Sequence, residues 1–80
     1  MIVTLDGISW QTLTRIKEVL GDDLILQLDE YDDGEGHNLY HVEFISAAVM
    51  VKTFENSVLL HTKKDCVRLS RFDYSQIILY

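Results

Sequence analysis

The chain contains no proline and a single cysteine, Cys66, and between residues 21 and 43 it has no lysine or arginine. Without proline, no stiff linker or polyproline segment is expected. A lone cysteine cannot close an internal disulfide, which small secreted domains normally rely on, so a reducing, cytoplasmic setting is the expectation. The longest nearly apolar run, Phe44 to Val51, falls far short of the ~20 residues of a membrane helix. The opening Met-Ile-Val-Thr-Leu-Asp has no basic region of the signal-peptide kind. No membrane association is therefore expected. No stretch repeats another, and none is of low complexity.

What is present fits one globular domain spanning residues 1–80: of 80 residues, 48% are apolar and 25% charged. A domain this small buries only about 60% of its unfolded-chain surface, so partners would add to its stability. The net charge of −6 is unevenly spread. Residues 21–43 hold eight acids, Asp22, Asp23, Asp29, Glu30, Asp32, Asp33, Glu35 and Glu43. Residues 44–80 hold five bases, Lys52, Lys63, Lys64, Arg68 and Arg71, against Glu55, Asp65 and Asp73. An acidic surface repels phosphate backbones, so nucleic acid is not the expected partner.

Ile2 to Leu5 is β-prone and runs into Asp6-Gly7, a turn signal. Ser9 then has the chemistry of a helix N-cap, since its hydroxyl can accept an orphan backbone N–H. Ile8 and Leu13 take the positions of a hydrophobic staple. Leu13, Ile16 and Leu20 share one helical face, and Gly21 stands where a left-handed C-cap is expected, which predicts a helix over residues 10–20. Trp10 falls at the rim of the apolar stripe. Beyond Gly21 the period becomes two. Leu24, Leu26 and Leu28 alternate with polar neighbours or Ile25, and Tyr40, Val42 and Phe44 do the same. A turn that sets Asp33 against His37 pairs Leu28 with Val42 and Leu26 with Phe44, which puts the apolar residues on one face of a hairpin.

A second register follows from turns at Glu55-Asn56 and Lys63-Lys64. Val49, Val51, Val58, Leu60, Val67 and Leu69 then share a buried face, and Met50, Lys52, Leu59, His61, Cys66 and Arg68 share a mixed one. Apolar parity flips at Ser46-Ala47-Ala48, as a bulge or sharp bend would cause. A helix over 42–53 competes there, but the β-branched Val42, Ile45, Val49, Val51 and Thr53 favour strand. Residues 71–74 read as a turn and 76–80 as a last strand. The expected class is α+β, with one N-terminal helix packed on a strongly bent antiparallel sheet of five or six strands and room for a small half-open barrel.

Few residues suggest catalysis. Counted from Asp29, a calcium loop of the EF-hand type would need oxygen ligands where Tyr31 and Tyr40 stand. His37 and His41, four apart in a strand, are separated by about 13 Å, too far for one ion. His61 and Cys66 face each other across strands, but nothing supplies an oxyanion site. The four glycines are scattered and form no phosphate loop. No cofactor or metal is expected, and a non-enzymatic role is.

The expected function is that of a small acidic protein-interaction module, with Asp29, Glu30, Asp32, Asp33 and Glu35 engaging a partner with a basic surface. A concrete form is an inhibitor that presents DNA-like negative charge to a nucleic-acid-binding protein. The face carrying Met50, Lys52 and Leu59 offers apolar anchors with a polar rim, a docking or self-association surface unless the helix or the first hairpin covers it. The alternative is a structural homo-oligomer, a homodimer in its simplest form. Ile78 lies in an apolar segment that reaches Tyr80 without charge or proline to blunt an edge strand. A small nucleic-acid-binding barrel is the least favoured class.

Overall fold

The computed structural model describes residues 2–45 and 49–79. Strand β1 (Ile2–Ile8) leads into helix α1 (Trp10–Leu20), a 3₁₀ turn over Asp22–Leu24, and strands β2 (Ile25–Asp32), β3 (Asn38–Ile45), β4 (Met50–Thr53), β5 (Ser57–His61), β6 (Cys66–Ser70) and β7 (Gln76–Leu79). The class is α+β, one helix on antiparallel sheets. In place of one bent sheet of five or six strands there are two sheets among the described residues, a four-stranded one ordered β2-β3-β1-β7 and a three-stranded meander β4-β5-β6. They do not form a closed barrel.

The helix occupies the residues its caps dictate. The Ser9 hydroxyl accepts the Thr12 N–H at 3.2 Å, and Ile8 and Leu13 are both fully buried at the staple positions. Gly21 ends the helix with φ 90° and ψ 154°, an extended reversal rather than the left-handed cap expected. α1 packs against β3 and β6, one strand from each sheet. Leu13, Ile16 and Leu20 thereby share a core with Val3, Leu5, Ile8, Val42 and Phe44 of the larger sheet and Val58, Leu60, Val67 and Leu69 of the smaller.

The register of the meander is the one its parity predicts, with Val51 opposite Leu60, Val58 opposite Leu69 and Leu60 opposite Val67. Strands β3 and β4 also dispose of the helical alternative over the described part of 42–53, while the bend expected at Ser46-Ala47-Ala48 lies outside the described residues. Two local readings need correction. Asp6-Gly7 is not a turn: β1 continues to Ile8 through an irregularity at Gly7, whose φ is 70°. In the first hairpin Leu28 does pair with Val42, but Phe44 pairs with Ile25, because the ladder shifts at Leu26.

Candidate functional site

The five acids expected to bind a partner are all exposed, and all lie on β2 or on the loop that joins it to β3. β2 is an edge of the four-stranded sheet, hydrogen-bonded to β3 alone among the described strands. Seven of its eight residues are exposed. β3 buries Tyr40, Val42 and Phe44 in the core, whereas β2 reaches the core's margin only through Ile25. Glu30 lies opposite Tyr40 on the core side of the arm, and Asp29 lies opposite His41 on the outer side.

The tip is held by its own side chains. Asp32 Oδ1 accepts the Gly34 N–H at 2.7 Å. Asp33 Oδ1 accepts the N–H groups of Glu35 at 2.7 Å and His37 at 3.2 Å, and Asp33 Oδ2 sits 3.0 Å from His37 Nδ1. The Glu35 N–H bond, aided by those from His37, outweighs partial desolvation and holds the Asp33 carboxyl below the usual carboxylate range. Asp33 therefore keeps its charge to lower pH than an ordinary carboxylate. Asp33, Glu35 and His37 bring their ligand atoms within 4.8 Å of one another, all exposed. His41 is elsewhere, its Nδ1 3.6 Å from Asp6 Oδ1 and its Nε2 3.4 Å from Glu43 Oε1. The two histidines thus belong to separate clusters.

The arm also carries apolar surface that parity had assigned to the core. Leu28 is 39% exposed and Leu26 and Tyr31 are exposed as well. Trp10, at the start of α1, is 56% exposed and packs its ring 5.7 Å from that of Tyr40. On the core side, Trp10, Tyr40, Leu28 and Glu30 thus adjoin one another through the Glu30–Tyr40 and Leu28–Val42 register pairs. On the outer side the Tyr31 hydroxyl donates to Asp6 Oδ1 at 3.0 Å. Partial burial, and then the Asp6 carboxylate, push that phenol above its ordinary value. The sequence placed Trp10 only at the margin of the helical stripe and Leu28 on a buried face, so this patch was not legible before the fold.

The face expected to carry Met50, Lys52 and Leu59 is formed by the meander. Lys52 and Leu59 are register partners, and Leu59 also pairs with Arg68. Met50 is 60% exposed, and Arg68 stacks over the Phe54 ring at 5.2 Å. Met50, Lys52, Cys66 and Arg68 of this face are exposed, and the end of α1 adjoins it at Met50 and His61. Ile78 is not part of it: it is half-buried on β7 in the other sheet, opposite Thr4. His61 and Cys66 do face each other across β5 and β6. No described helix is long and apolar enough to cross a membrane. Comparison with protein-family models, with curated proteins and with solved structures finds no match to this chain.

Proposed function

We propose that this chain is a small acidic protein-interaction module that docks through the β2–β3 arm onto a partner with a basic, partly apolar surface. The observation that carries this reading is the exposed edge strand β2, on which Leu28 lies on the same face as the Trp10–Tyr40 pair, flanked by Glu30 and Asp32, while Asp29 adds charge on the other face. Interfaces draw their affinity from a few buried aromatic and aliphatic anchors, and rim charges steer the encounter. The arm supplies both. A partner that normally holds nucleic acid fits this charge, and the arm would then act as an inhibitor by presenting carboxylates where phosphates bind.

The test compares wild type with two variants on an immobilised support in native lysate. Asp32→Asn, Asp33→Asn and Glu35→Gln together remove the tip charge, and Trp10→Ala removes the anchor. A protein retained by wild type, lost in high salt and lost with both variants supports the reading. DNA that displaces it identifies the inhibitor form. Retention unchanged in both variants overturns it.

A second reading rests on a different edge. β7 is hydrogen-bonded to β1 alone among the described strands, and Gln76–Leu79 carries no charge. Such an edge suits pairing with a second copy, which gives a homodimer.

A further inference from the structure

Away from the acidic arm, a groove of about 690 Å³ opens between the end of α1 and the β5–β6 loop. Its apolar wall is Leu20, Leu24 and Met50, and its opposite rim is His61, Lys63 and Lys64. We propose that this groove binds a small amphipathic monocarboxylate, with the aliphatic chain along Leu20, Leu24 and Met50 and the carboxylate at Lys63 and Lys64. The volume lies within the roughly 300–1,000 Å³ typical of small-molecule sites. An apolar wall alone would accept any hydrocarbon, and two ammonium groups alone would accept any anion. Together they select a molecule that is apolar at one end and anionic at the other.

Three further features define the ligand. The loop that carries the lysines is fixed: the Thr62 N–H donates to the Asp65 carbonyl at 2.8 Å, and Thr62 Oγ1 accepts the Lys64 and Asp65 N–H groups at 3.2 Å each. The backbone that carries the two lysines is therefore set before a ligand arrives, which leaves only their side chains for binding to order. Asp23 stands on the helix side of the groove and repels a carboxylate from there, so the head is directed to the lysines. The chain's net charge of −6 favours a monoanion over a polyanion here. This proposal does not depend on the arm as a docking element.

Sodium decanoate, kept below its micelle concentration, is the probe, titrated into the full isotope-labelled chain while backbone amide shifts are followed. Saturable shifts at Leu20, Leu24, Met50 and His61–Lys64 are expected. Affinity should fall at least tenfold in Lys63→Glu/Lys64→Glu, whose loop position leaves the rest of the spectrum in place, and at least tenfold for decanol in wild type. No saturable shift overturns the proposal, as do shifts spread equally over Trp10 and Phe72 or unchanged affinity in the double variant. If inorganic phosphate displaces decanoate at equal concentration, the groove is a general anion site and the amphipathic ligand is wrong.

Discussion

Gly7 and Gly34 share a backbone conformation that L side chains rarely adopt, with φ of 70° and 87°, yet their surroundings differ. A Cβ on Gly34 would meet nothing within 4 Å, whereas one on Gly7 would run into the Ser75 side chain and lie 3.2 Å from the Ser75 backbone nitrogen. Gly34→Ala should thus cost only the left-handed strain, about 1 kcal/mol. Gly7→Ala should cost at least about 2 kcal/mol, because Ser75, just before β7, must also give way. Urea unfolding of both variants measures the difference, and equal losses would mean that Ser75 yields freely. Asp73 makes a different prediction. Burial alone would raise its carboxyl, but the hydrogen bond from the Ser70 N–H at 2.7 Å and the Arg15 guanidinium at 3.2 Å prevail and hold it below the ordinary range. A carboxylate depressed in the folded state contributes stability that is complete above its unfolded pKa and disappears as pH falls through the folded one. With Arg15 half exposed, Asp73→Asn should cost about 1–2 kcal/mol at neutral pH. The gap between variant and wild type should close in acid, below the folded-state pKa. A gap that persists there would show that shape rather than charge matters at this position.

At the scale of elements, the arm should be separable from the fold. Asp32→Asn, Asp33→Asn and Glu35→Gln alter exposed groups at a tip that packs against nothing, and Asn retains a carbonyl oxygen for the backbone donors. The triple variant should unfold within about 0.5 kcal/mol of wild type by thermal or urea melting. A larger loss would mean that the tip's hydrogen bonds hold the hairpin together. What could be read in the sequence was the local part. Ser9, the Leu13–Ile16–Leu20 stripe and Gly21 bound α1 because each signal lies within a few residues of its effect. The meander's register was readable because one-residue slips would have scattered Val58, Leu60, Val67 and Leu69. What could not be read was distant. β1 lies between β3 and β7, pairings between segments tens of residues apart that no local pattern encodes. The same gap misplaced Leu26 and Leu28. Their alternation resembles a buried face, but burial depends on what covers a strand, and α1 lies over β3 and β6. The acids of the site were legible as a charge block, whereas the Trp10–Tyr40–Leu28 patch required the fold.

The whole molecule has two kinds of sheet edge, and charge decides which one suits a second copy. Antiparallel self-pairing of β2 would bring the Asp29, Glu30 and Asp32 carboxylates of one copy close to those of the other, and like charges across strands destabilise such pairing. β7 has no such penalty: Gln76, Ile77, Ile78 and Leu79 are uncharged, and the strand's second edge has no partner among the described residues. Two-fold pairing of β7 would join the larger sheets of two copies and leave both acidic arms at the far edges, free for partners. A small domain also gains from the extra burial. Sedimentation should therefore show a dimer that forms with concentration and is insensitive to salt, unlike partner binding through the arm. Ile78 is half-buried opposite Thr4, so Ile78→Lys should weaken both the monomer and its association. Leu79 is half exposed, so Leu79→Lys should weaken association while the isolated monomer melts as before. A chain that stays monomeric at high micromolar concentration, with the stability of an ordinary domain, would remove the dimer and leave β7 as an edge that its short length alone protects.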